Sequence, residues 1–152
     1  MLIGLGADHN GYLLKEHLSR HLQDRGHDVK DFGCFDTKPV DYPDVAAAVG
    51  KAVASGQCER AILICGTGLG MAIAANKIPG VSAASVSDPY SAERARKSND
   101  AQVLCLGAKV VGEAVAPLLV DHWLASEFAG GESARKVAKI AALERDTTIG
   151  SR

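Results

Sequence analysis

The sequence predicts an α/β protein: a three-layer α-β-α, Rossmann-like fold on one five-stranded, doubly wound parallel sheet, with strand order 2-1-3-4-5. Two observations carry this expectation. Five short apolar runs alternate strictly with longer stretches of helical periodicity, the pattern of parallel strands joined by right-handed crossovers and covered on both faces. Each run is also followed within a few residues by glycine or polar residues, as expected where strands end at a rim of loops.

The first run, Leu2 to Gly6, leads into Ala7-Asp8-His9-Asn10. A helix near 11–25 then repeats Leu14, Leu18 and Leu22 on one face. Val29 to Phe32 is the second strand, with Gly33 and a loop holding Asp41-Tyr42-Pro43 behind it. Pro43 suits the start of a helix near 43–55. The third strand, Ala61 to Cys65, runs into Gly66-Thr67-Gly68-Leu69-Gly70 and a helix near 68–77. Ser82 to Val86 is the fourth, followed by Ser87-Asp88-Pro89-Tyr90 and a helix near 89–97. Val103 to Gly107 is the fifth, with Ala108-Lys109 and a helix near 112–126 after it. Gly130-Gly131 breaks the chain before a last helix near 132–145, and residues 146–152 are polar, as in a flexible tail.

At 152 residues the whole chain, 1–152, fits one domain with a core large enough to need no covalent staple. The net charge of −1 gives no reason to expect nucleic acid or an anionic membrane as partner, and no apolar run approaches the length of a membrane span. Cys34, Cys58, Cys65 and Cys105 form no C-x-x-C pair and no zinc spacing. Disulfides are therefore not expected, and a cytoplasmic setting is the simplest one.

Cys65 is the most informative residue. A thiol that ends a buried strand and opens a glycine turn into a helix lies at the positive end of that helix, where thiolates are favoured. Glycines there let a ligand approach backbone N–H groups closely. The competing reading is a small buried residue closing a strand. In an open parallel sheet, ligands bind beyond the carboxyl ends of the strands, so the polar residues after each strand are candidates for the same pocket.

Several segments together resemble the ribose-5-phosphate isomerase B family, which includes the galactose-6-phosphate isomerase subunits. They are Gly6-Ala7-Asp8-His9 with Gly11, Asp41-Tyr42-Pro43, and Leu63 to Gly70 running on to Ala74-Ala75-Asn76-Lys77. Ser87 to Ala92, Asn99-Asp100, Gly107 to Gly112, and Gly130-Gly131 complete the set. The resemblance implies a metal-free, cofactor-free aldose–ketose isomerase of a sugar phosphate, acting through a cis-enediolate, with ribose 5-phosphate and ribulose 5-phosphate as the leading pair. It implies Cys65 as the base, since Met71 stands where other members carry a glutamate, and Thr67 as the hydroxyl relaying protons between the oxygens. Gly66, Gly68, Gly70 and Asn99 resemble the anion-stabilising set, Asp8 a contact to sugar hydroxyls, Tyr42 a pocket wall and His9 a phosphate contact. Lys109, Arg135 and Lys136 fall at phosphate-binding positions. The last helix is implied to pack on a partner subunit in a homodimer with a shared active site, and such dimers can pair into tetramers.

Local chemistry offers rival roles: Asp8 and Thr67 are good helix caps, Asn99 suits a turn and Tyr42 suits packing. Two departures from the family pattern also stand out. Ser98 replaces the histidine that opens the furanose ring, and an unaided serine is a poor acid or base near neutrality. Glu132 replaces an arginine after Gly-Gly, while Lys109 and Lys136 replace arginines, offering point charges in place of bidentate forks. A four-carbon sugar with its phosphate on the fourth oxygen cannot close a furanose ring, so erythrose 4-phosphate or erythrulose 4-phosphate is an alternative substrate, as is another sugar phosphate, branched or longer, whose open form is supplied without Ser98. A non-catalytic sugar-phosphate-binding homologue is a second alternative. A dinucleotide-binding module is disfavoured, because the glycine spacings after Gly4 and after Gly66 do not match the fingerprint.

Overall fold

A computed structural model, describing residues 1–150, gives the chain five strands and six helices. The strands are β1 (Leu2–Ala7), β2 (Asp28–Asp31), β3 (Arg60–Cys65), β4 (Ala83–Ser85) and β5 (Val103–Gly107). The helices are α1 (Tyr12–Asp24), α2 (Tyr42–Ala54), α3 (Leu69–Ala75), α4 (Pro89–Lys97), α5 (Val115–Leu124) and α6 (Glu132–Arg145). All strand pairs are parallel. Of the expected tail, Ser151 and Arg152 lie outside the described residues.

The strand order is β2-β1-β3-β5-β4, which corrects the expected 2-1-3-4-5. Burial explains the exchange. Every residue of β5 is buried, whereas β4 is three residues long with an exposed end. The more apolar strand takes the interior place beside β3, and the short one becomes the edge, where exposed strand is best kept brief. The right-handed crossover rule then fixes the layers. A connection that reverses direction along the sheet must change face, so α1 and α4, which lead back toward the left, share one face.

Packing agrees with this assignment. One core joins Leu14, Leu18 and Leu22 of α1 with Ala92 and Ala95 of α4 and with Leu119 and Trp123 of α5. The other joins Ala46 and Val49 of α2 with Met71 and Ala75 of α3. The last buried residue of either core is Trp123. Helix α6 contributes no buried residue, and its Ile140 and Leu143 are 52% and 60% exposed. The apolar face of α6 is therefore not buried in the chain's own core.

Among the described residues, no helix is long and apolar enough to cross a membrane. All four cysteines are free and buried. Burial pushes the Cys105 thiol strongly up, with the neighbouring Cys65 adding to the effect.

Candidate active site

The chain leaves β1 toward β2 on one side and later returns across β1 to β3 on the other. Helices α1 and α3 therefore depart to opposite faces, and their loops diverge into a crevice at the carboxyl edge. Two close approaches set its floor. The Asp8 N–H donates to the Ile64 carbonyl at 3.1 Å, and a side chain on Gly11 would strike that same carbonyl oxygen at 2.5 Å. Asp8, almost fully buried, uses Oδ1 to accept the N–H groups of Asn10 and Gly11 at 2.9 and 3.2 Å. It thus braces the entry to α1, and among the described residues its Oδ2 has no protein donor.

Cys65 ends β3 with 5% of its surface exposed. The Gly68 N–H donates to its Sγ at 3.1 Å. Gly68 must be glycine here: its φ is +80°, and a Cβ would lie 2.9 Å from the Leu106 carbonyl carbon. Gly107 has a matching need, since a Cβ there would meet the Thr67 backbone at 2.6 Å. Thr67 is exposed, and its Oγ1 accepts the Leu69 N–H at 3.2 Å. Among the described residues, the N–H groups of Gly66 and Thr67 reach no protein acceptor, so the turn presents donors beside the sulfur.

Lys109 joins this turn, its N–H bonded to the Gly66 carbonyl at 2.9 Å and its side chain crossing above Gly66. Tyr42 covers Gly70, where a Cβ would come within 2.5 Å of the ring. Gly70 therefore admits the Tyr42 ring, a packing role that the sequence did not show. His9 sits beside Tyr42 in a cleft of about 520 Å³ formed with Asp8 and residues 40–44. Its Nδ1 accepts the Val40 N–H at 3.2 Å, which leaves the proton on Nε2 in the neutral ring. Among the described residues, no group of three His, Cys, Asp or Glu side chains is placed to hold a metal ion.

The remaining candidates lie elsewhere in the chain, and Asn99 does not stand beside the glycine turn. Strand β5 begins beside Ala61 and ends beside Cys65, and Ser98 and Asn99 precede it. They belong to the amino edge, beyond the length of the strand, about 13 Å. Asn99 lines a groove of about 430 Å³ beneath α6, with Gly80, Ser82 and Val137. Arg135 and Lys136 are exposed on α6.

Residues 3–140 match the Ribose/Galactose Isomerase family. The chain belongs to that family. It is 50% identical over 137 residues to ribose-5-P isomerase B of Listeria innocua, covering 90% of this chain and 93% of that protein. It is 48% identical over 140 residues to a D-erythrulose-4-phosphate isomerase of Pectobacterium atrosepticum, covering 91% of each. The structure of Clostridium thermocellum ribose-5-phosphate isomerase B superposes with a TM-score of 0.94 at 50% identity, covering 95% of this chain and 98% of that one.

In this isomerase the two departures acquire physical partners. The Ser98 hydroxyl accepts a hydrogen bond from Arg94 Nε at 2.7 Å, a pairing that the i, i+4 spacing on one helix allowed but did not announce. Glu132 occupies the first turn of α6, where the helix dipole stabilises a carboxylate. Asn10, one of the polar residues that follow the first strand, brings its Cβ to 3.9 Å from the position a side chain on Gly66 would take.

Proposed function

We propose that this isomerase interconverts an aldose phosphate and its ketose through a cis-enediolate, without metal or cofactor. Cys65, as thiolate, takes the proton from the carbon beside the carbonyl and returns it to the neighbouring carbon. Thr67 relays a proton between the two oxygens, while the free N–H groups of the glycine turn meet the charge that develops there. Asp8 Oδ2 accepts from a sugar hydroxyl, Tyr42 walls the pocket, and His9 and Lys109 contact phosphate. The single observation carrying the reading is the Gly68 N–H on Cys65 Sγ at a crevice with unused donors.

The site is completed in trans. Ser98 and Asn99 stand at the amino edge, away from Cys65 of their own chain, Arg135 and Lys136 are exposed on α6, and α6 keeps Ile140 and Leu143 exposed. A homodimer in which each chain supplies these groups to the other's crevice accounts for these facts, in a cytoplasmic protein with reduced cysteines.

The names of similar proteins support ribose 5-phosphate and ribulose 5-phosphate as substrate pair. One observation favours a second reading. Ser98 Oγ accepts a guanidinium N–H, which disfavours its use as a base in place of the ring-opening histidine. A four-carbon sugar 4-phosphate needs no ring opening. Coupled assays on ribose 5-phosphate and erythrose 4-phosphate, with Cys65→Ala as control, test both. Turnover lost in Cys65→Ala with binding retained supports the base assignment, and undiminished turnover refutes it.

A further inference from the structure

The last turns of α4 carry three cations, Arg94, Arg96 and Lys97. Two of them are neutralised: Arg96 pairs with Asp100 at 3.0 Å and Lys97 with Glu93 at 3.2 Å. Arg94 alone has no carboxylate partner among the described residues. Its Nε is fixed on Ser98 Oγ, and its two terminal nitrogens have no acceptor among the described residues. A guanidinium held at one nitrogen, half-buried and with its outer fork free, is prepared for a bidentate oxyanion. Asn99, next to Ser98, is exposed, and among the described residues its amide has no partner.

We propose that Arg94 is a substrate-binding residue that takes the phosphate of a four-carbon, permanently acyclic sugar phosphate in the partner's crevice, and that Ser98 positions it. The inference rests on the site assembled in trans described above. If Asn99 faces the reacting carbons, the Ser98–Arg94 pair borders the same wall. A chain shortened by one carbon brings its phosphate toward that wall, away from the cations suited to a longer sugar. Ser98 thus acts through Arg94, and the exchange of an acid–base group for an anchored cation is a change of substrate length.

The test measures steady-state kinetics on erythrose 4-phosphate and ribose 5-phosphate for the wild type, Arg94→Leu, Arg94→Lys and Ser98→Ala. Calorimetric binding of 4-phosphoerythronate, an acyclic probe that cannot be isomerised, accompanies them. Loss of a charge-assisted contact predicts that Arg94→Leu raises KM for the tetrose, and Kd for the probe, by about 10-fold or more. The KM for ribose 5-phosphate changes less, and kcat on the tetrose is nearly kept. Arg94→Lys restores part of the loss, and Ser98→Ala lies between. A Kd and tetrose KM for Arg94→Leu both within about two-fold of wild type overturn the proposal, as does a wild type that fails to bind the probe. A wild type that binds the probe through Arg94 but isomerises neither sugar upholds the phosphate site and refutes the isomerase reading instead.

Discussion

The backbone N–H of Gly68 and the sulfur of Cys65 lie 3.1 Å apart, three residues from each other on a turn that only glycine can make. Gly68→Ala forces a side chain into a left-handed conformation, at about 1–2 kcal/mol, and against the Leu106 carbonyl carbon. The turn must move, and the donor moves with it. Turnover falls on the order of 100-fold, the scale of a lost oxyanion-type donor. Alkylation of Cys65 by iodoacetamide slows as well. A variant with wild-type turnover and alkylation would show that this contact is idle.

Sharing of the site between chains predicts complementation. Cys65→Ala and Asn99→Ala are each nearly inactive as homodimers. When the two are unfolded and refolded together, half of the dimers are mixed, and each of those has one intact crevice. Activity recovers to roughly a quarter of wild type by this symmetry argument. Recovery does not occur if each chain holds its whole site.

Arg60 is buried at the end of α5, where it donates to the carbonyls of Trp123, Leu124 and Ser126 and to the Glu127 carboxylate at 2.9–3.1 Å. It also lies over the Trp123 ring at 5.5 Å. Arg60→Ala orphans these carbonyls, so urea denaturation reads a loss on the order of 2–4 kcal/mol. Arg60→Lys recovers only part, since an ammonium cannot span the same fork.

Lys15, with no exposed surface, bonds to Asp31 and Glu16 and lies between the rings of Tyr12 and Phe35. Burial alone would lower its pKa, but the two carboxylates outweigh it and hold the ammonium charged. Lys15→Met leaves Asp31 without its counter-ion and destabilises by about 3 kcal/mol. The double variant Lys15→Met/Asp31→Asn recovers much of that in the same urea titration, because the uncompensated charge is gone.

Asp121 shows the opposite sign. Partial burial pushes its pKa up, but hydrogen bonds from Arg25 and His21, together with their charges, hold it below the usual carboxylate range. A folded-state pKa below the unfolded one stabilises above the unfolded value, about 3.9, and that contribution is lost as pH falls through the folded one. Thermal melts between pH 6 and pH 2.5 should therefore steepen below about pH 4. Asp121→Asn should flatten that decline, and an unchanged slope would dissociate the cluster from acid unfolding.

The elements were legible because burial writes them directly into composition. Ala61 to Cys65 and Val103 to Gly107 read as fully buried strands, and both are. The exchange of β4 and β5 was hidden, because strand order depends on which run is more apolar and not on sequence succession. Cys65, Thr67 and Lys109 could be gathered from the rule that ligands meet the carboxyl edge. Asn99 could not be placed that way, since its residue type says nothing about which edge it occupies. The role of Gly70 in admitting Tyr42 was equally silent, because a missing Cβ does not name the atom that fills its space.

The last buried residue of either hydrophobic cluster is Trp123, and Arg60 ties down the chain as far as Glu127. A nascent polypeptide would thus hold everything needed for its sandwich before the final twenty-odd residues leave the ribosome. Those residues would emerge onto a finished body, with an oily stripe still unspent. For the proposed homodimer, maturation is then a two-stage affair, folding first and pairing second, and only the second stage would slow on dilution.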